Sequence, residues 1–185
     1  MSLLLRLFLV VVAAAFRPRL DVADDSRLTM IVLPNDLDLN LHMNNGRYLT
    51  VLDLGRLDFL LRAGLAPVLV RKRWQPLIGG TLIRYRFGLR AFQRYKIITR
   101  VLCWDDKWFY FEQLLITNTG LLITNTGIAS IALSKALLRH RTGTVDPAGV
   151  LAVVDMERPS PAMPASVACW ARAEESLHIE DEVKS

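Results

Sequence analysis

Apolar positions recur along this chain in two rhythms, and the change from one to the other predicts its elements. Between Asn45 and Ala63 the side chains of Tyr48, Leu49, Val51, Leu52, Leu54, Leu57, Phe59, Leu60 and Leu61 cover most of a helical circumference. A helix apolar nearly all round is one that other elements enclose. Asn44 or Asn45 can cap its start, because an asparagine side chain accepts hydrogen bonds from the unpaired first amides, and Gly64 stops it. On a helical wheel Gly55 falls among Tyr48, Leu52 and Phe59, where the missing side chain lets a sheet approach closely.

Elsewhere the rhythm shortens to that of strands. Arg27 to Leu33 reads as a first strand ended by Pro34. Leu77 to Leu89, Tyr95 to Trp104, Lys107 to Thr117 and Ile128 to Leu138 are rich in β-branched and aromatic residues. Asp105-Asp106 makes a tight turn, and consecutive strands with short links pair antiparallel. The class expected is α+β, an antiparallel sheet wrapped around one long buried helix. Beyond Arg141 the prolines at 147, 159, 161 and 164, then a short helical stretch with an acidic end, mark a peripheral and partly disordered tail. The expected organisation is an apolar and basic segment at 1–19, a main domain at 20–141 and a tail at 142–185.

Leu114 to Gly120 reads LLITNTG, and Leu121 to Gly127 repeats it directly. A seven-residue insertion carried through a ladder sends every later side chain to the opposite face. The extra copy is therefore expected at a hairpin tip or in a looped-out excursion.

Composition changes this picture little. With 52% hydrophobic and 22% charged residues the chain is not disordered, and 185 residues suffice for one core without staples. The formal charge of +5 suits an anionic partner, whether nucleic acid, phospholipid or a phosphate-bearing cofactor. Cys103 and Cys169 show no disulfide or ligand spacing and read as buried free thiols, which suits a reducing, cytoplasmic setting. Histidines stand only at 42, 140 and 178, so no metal is expected. From Leu3 to Phe16 the chain is apolar except for Arg6, too short for the roughly 20 residues of a membrane span. Three readings stand open: a secretory signal with Ala13-Ala14-Ala15 at its cleavage site, a helix on a membrane surface with Arg17 and Arg19 reaching lipid phosphates, or a helix docked on the fold.

Candidate chemistry lies just before the buried helix. Polar and apolar residues alternate from Leu37 to Asn44, so an extended backbone projects Asp38, Asn40 and His42 to one side and Leu37, Leu39 and Leu41 to the other. A carboxylate can activate water or attack directly. The amides near Asn45 and Gly46, at the positive end of a helix, can hold a developing oxyanion. A thiol with a pKa of about 8.5 leaves without strong acid assistance. The same side chains also suit simple side-chain turns.

The run Asp38-Leu39-Asn40-Leu41-His42-Met43-Asn44-Asn45 followed by Tyr48 resembles the motif of plant fatty-acyl-carrier-protein thioesterases and of the wider 4-hydroxybenzoyl-CoA thioesterase-like hotdog family. Gly46-Arg47-Tyr48-Leu49, Asp53 to Asp58, Ile83 to Arg86, Phe92 to Tyr95 and Trp104 to Tyr110 resemble more closely the branch of thioesterase superfamily member 6. The resemblance implies a hotdog fold and hydrolysis of acyl-CoA or acyl carrier protein thioesters. It casts Asp38 as base or nucleophile, assisted by Asn40 and His42, with no cofactor beyond the coenzyme A of the substrate. It also implies a homodimer, or a dimer of dimers, with sites near the subunit boundary. Tyr48, Arg84, Arg86 and Arg94 are the expected substrate contacts. In the plant enzymes a glutamate on a later strand takes part; Arg84 stands in the matching region here. The rival reading is a non-catalytic hotdog protein that binds acyl chains or serves as a membrane-associated interaction module. Nucleic-acid binding is not expected, since the aromatics at 104 to 110 sit where strand cores need them.

Overall fold

The computed structural model describes residues 3–118 and 126–177. Five helices and six strands follow one another as α1 (Leu3–Ala15), β1 (Ser26–Ile31), α2 (Asn45–Arg62), α3 (Leu65–Lys72), β2 (Gln75–Tyr85), β3 (Arg94–Trp104), β4 (Phe109–Ile116), β5 (Ile128–His140), β6 (Gly143–Val145), α4 (Pro147–Ala152) and α5 (Ala165–Glu175), with a 3-10 turn at Pro34–Asp36. The sheet runs β1-β3-β4-β5-β2 with β6 beside β5, and every pairing is antiparallel.

α2 is the enclosed helix that the pattern predicts. Val51, Leu52, Leu54 and Phe59 are buried against the sheet, and a Cβ on Gly55 would stand 2.8 Å from both Ile97 Cγ2 and Thr99 Oγ1. The enclosure is not wholly apolar. Arg56 donates to Gln113 Oε1 at 2.5 Å and to Ser134 Oγ at 3.2 Å, while Gln113 Nε2 donates to Leu52 O and Thr99 Oγ1, both at 2.9 Å. Asp58 collects Ser26, Arg17 and Arg62. These buried polar groups are tolerated because each finds partners, whereas Leu49 of the same helix faces outward.

Arg17 is therefore turned inward to Asp58 at 2.8 Å and to the Arg27 carbonyl at 2.5 Å. That corrects the expectation of it reaching lipid; Arg19 alone of the pair is exposed. α1 packs on α2 with Arg6, Val10 and Ala14 turned inward, and leaves Leu4, Phe8 and Leu9 outside. Among the described residues no helix is long and apolar enough to cross a membrane.

The ladder between β4 and β5 shifts register at its outer end, where Leu115 faces Ser130 but Ile116 faces Ile128. Ala129 is the extra residue, and the Thr117 amide closes the hairpin on the Gly127 carbonyl at 2.8 Å. The first three residues of the first LLITNTG copy thus enter β4, while 119–125, the end of that copy and most of the second, lie outside the described residues. The acidic end at 178–185 lies outside them as well.

After Arg141 the chain is packed where its prolines suggest a periphery: Val150, Leu151 and Val167 are fully buried. α4 closes the core cluster of Phe59, Phe109 and Leu138. Val167 of α5 covers Cys103 and Tyr110. Cys103 is buried and free as expected, but Cys169 is exposed.

Candidate active site

The loop from Leu37 to Met43 is a closed turn, not the extended run that its alternation suggests. Leu37 bridges Met43, the Asp38 amide donates to His42 O at 2.8 Å, and the Leu41 amide donates to Asp38 O at 3.1 Å. Leu41 takes a left-handed φ of 57°, which costs a leucine on the order of 1 kcal/mol. Leu39 and Leu41 point into solvent. Asn40 sits exposed at the apex, and Asp38 and His42 are half-buried at the base. The Asp38 carboxylate thus holds the backbone of both Asn40 and His42, while the Asn40 side chain stands exposed at the apex.

Asp38 itself holds the turn. Its Oδ1 accepts the Asn40 amide at 2.8 Å and the His42 amide at 3.3 Å. Its Oδ2 accepts no hydrogen bond among the described residues. This is the side-chain turn that aspartate favours, built so that one carboxylate oxygen is structural and the other is left over.

The floor under the loop comes from a stretch that periodicity assigns to a strand. β2 ends at Tyr85, short of Leu89: the Arg86 and Phe87 amides still reach the Ala129 carbonyl, and the backbone then turns so that Leu89 and Arg90 meet the loop. Met43 donates to Leu89 O at 2.7 Å, and His42 bridges Arg90. Gly88 lies directly beneath the imidazole: a Cβ there would stand 2.6 Å from His42 Cδ2. Nothing but contact shape marks Gly88, so the chain alone gave no signal for it.

At the start of α2 the Asn44 side chain caps the helix by accepting the Gly46 amide at 2.9 Å. Gly46 is thereby removed from the oxyanion role expected of it. The Asn45 amide stays without a partner among the described residues, and the Asn45 carbonyl accepts the Tyr85 hydroxyl at 3.2 Å. Tyr48 is buried, not presented to solvent as a substrate contact would be, and meets Tyr85 edge-on with ring centroids 5.0 Å apart. Burial pushes its hydroxyl up to about 12, with Tyr85 and Asp38 adding to the rise and a hydrogen bond from the Leu89 backbone opposing it. Arg84, Arg86 and Arg94 are exposed, and Arg86 donates to Thr126 Oγ1 at 3.2 Å.

A cavity of about 240 Å³ opens along the second half of α2, lined by Leu57, Leu60, Phe109, Phe111, Leu138 and Leu151. None of Asp38, Asn40, His42, Asn45 or Gly46 lines it. At 1.5 Å per residue, Leu57 lies roughly 18 Å along the helix from Asn45.

Comparison with known proteins gives this geometry a lineage. The chain is 32% identical to Protein THEM6 of Xenopus laevis over 169 residues, 91% of this chain and 78% of that protein. Matches to three further relatives span about half of each of them. YbaW, a probable thioesterase from Escherichia coli, superposes with a TM-score of 0.62 at 18% identity, covering 71% of this chain and 96% of that one. SAV2348 from Staphylococcus aureus, solved in complex with CoA, superposes with a TM-score of 0.61 at 11% identity, covering 80% and 94%. The fold is that of the hotdog thioesterases. Residues 32–170 match the thioesterase-like superfamily, so the chain belongs to that family.

Proposed function

We propose that the chain hydrolyses acyl-CoA thioesters at the loop of Asp38 and His42. The observation that carries this reading is the half-buried Asp38 carboxylate, one oxygen committed to the turn and the other accepting no hydrogen bond among the described residues, on the loop that leads into α2. In the proposed reaction the open oxygen takes a proton from water as the water adds to the carbonyl carbon, or adds to that carbon itself to give an acyl–Asp38 anhydride that water then hydrolyses to the free acid and the Asp38 carboxylate. The Asn45 amide and the helix dipole receive the oxyanion, and the thiolate leaves. Its membership in the thioesterase-like superfamily supports the reaction. The CoA bound to SAV2348 supports coenzyme A as carrier, with Arg84 and Arg94 the exposed cations for its phosphates.

A homodimer through the β2 edge is the assembly that this site calls for. Among the described residues β2 has no neighbour on its outer side, and it carries exposed Leu77, Ile78 and Leu82. Pro76 and Ile78 at its beginning line the apolar cavity, whereas Tyr85 at its end is tied to Asn45. Antiparallel pairing about a two-fold sets the beginning of one β2 against the end of the other. Each cavity then lies beside the partner's loop, and the 18 Å separation within one chain closes between two.

We read the outer face of α1 as a lipid contact. Leu4, Phe8 and Leu9 stand exposed along it, and the one charged residue of the helix, Arg6, is turned inward; in lipid each large apolar side chain contributes about 1.5–3 kcal/mol.

The non-catalytic acyl-binding reading draws support from the structural duty of Asp38 Oδ1 and from the capped Gly46 amide. Asp38→Asn separates the two, since an amide oxygen still holds the turn but is no base. With wild-type protein turning over acyl-CoA, kcat of the variant is expected to fall about 10²- to 10⁴-fold at unchanged stability. An unchanged rate removes Asp38 from the reaction, and a folded wild type that binds but never hydrolyses acyl-CoA leaves the binding module.

A further inference from the structure

Arg6 is the only charged residue of α1, and it is the residue that the helix turns inward, at 4% exposure. Docking alone does not call for it, because a leucine would fill an apolar seam without desolvating a charge. Its guanidinium pairs with Asp36, 1% exposed. Its Nε finds no partner in the interior, so the geometry of the guanidinium is set by that one carboxylate.

Asp36 is the anchor of the candidate catalytic loop at both ends. Leu37, the first residue of the loop, follows it directly. The Asp36 carbonyl accepts the Asn44 amide at 2.8 Å, fixing the residue that closes the loop and caps α2. Asp36 Oδ2 also accepts the Leu33 amide at 2.9 Å and so holds the 3-10 turn together. Arg47, the other cation near this carboxylate, stands off at 3.9 Å and is partly drawn away by the Asn35 carbonyl at 3.3 Å.

We propose that Arg6 is a positioning residue for the loop 37–43, so that the N-terminal helix is part of the supporting structure of the site. It acts through Asp36, the common anchor of both loop ends. The proposal rests on the reading of that loop as the site, but its physical content, a coupling between α1 and the loop, is measurable without turnover.

Amide hydrogen exchange on the full chain tests it, comparing wild type with Arg6→Leu, Arg6→Lys and Asp36→Asn. Arg6→Leu is expected to speed exchange at Asp38, Leu41 and Asn44 by about tenfold while the β3 and β4 amides stay unchanged. Arg6→Lys is expected to restore most of the protection, since it keeps the charge. In acyl-CoA hydrolysis Arg6→Leu should lower kcat about tenfold with KM within about twofold. Unchanged exchange in the loop, or an acceleration spread evenly over the sheet, overturns the coupling. If Arg6→Leu does not fold, Arg6→Lys and Asp36→Asn carry the test: wild-type loop exchange in Asp36→Asn overturns it equally. A wild type without hydrolytic activity sinks the functional reading alone, and the exchange data still decide the coupling.

Discussion

Asp38 serves the backbone with one oxygen and is free for substrate with the other, and this division constrains what its neighbours can be. The His42 ring rests against a bare α-carbon at 88, which makes Gly88→Ala informative. The added methyl would stand 2.6 Å from Cδ2 and 2.8 Å from Cγ of the imidazole, well inside contact distance, so the ring must swing. A misplacement of this size is expected to lower kcat by about tenfold or more, with a stability loss of about 1–2 kcal/mol by denaturant titration. Full activity would show that the imidazole position is irrelevant to turnover. Which residues gather here was partly legible: a polar triplet before a helix cap pointed to Asp38 and His42. Alternation suggested an extended run where the chain makes the side-chain turn that Asp38 also suits; what it carries no record of is the pairing of Met43 with Leu89 and of Asn44 with Asp36, which seats that turn.

The elements that could be read from the chain were those with many periods. α2 was found within a residue at its end, and β3 and β5 within two, because long runs average over exceptions. The eight-residue α3 and the three-residue β6 repeat too few times to announce themselves. β2 was overextended because Arg86 and Phe87 still bond Ala129 as strand residues would, while the backbone from Leu89 on pairs with the loop. α1 was legible as a helix, but its roll could be set only by the buried Asp36. Its outer face yields a test at this scale. Phe8→Glu leaves the inward Arg6, Val10 and Ala14 untouched and places a charge where Phe8 is exposed. The full chain is expected to co-sediment with anionic phospholipid vesicles, and the variant to bind about tenfold less. Equal sedimentation of the two, or none by wild type, would remove the lipid contact.

For the molecule as a whole, its four tyrosines, Tyr48, Tyr85, Tyr95 and Tyr110, all sit above the ordinary value of 10.0. Burial is the first cause in each case, and at Tyr110 the Asp105 carboxylate accepts the hydroxyl at 2.8 Å and adds to the rise. The folded chain thus prefers the neutral phenol. The stabilisation this brings is complete below pH 10 and is lost as pH climbs from there through the folded values, which for Tyr48 means about 12. Phenolate absorbance of the native protein is expected to lag that of the denatured protein by about one pH unit or more, with the denaturant midpoint falling only above pH 10. Coincident titration curves would contradict the burial of these rings.

The inward guanidinium of α1 also fixes an azimuth. Rolled by half a turn, the helix would lay Leu4 or Phe8 over the Asp36 carboxylate and strand a cation on its greasy side, so only one orientation about its axis is compatible with the fold. Whatever planar surface receives that outer stripe therefore meets the body of the protein at one fixed tilt, and the loop that carries Asp38 approaches it from the same bearing in every copy.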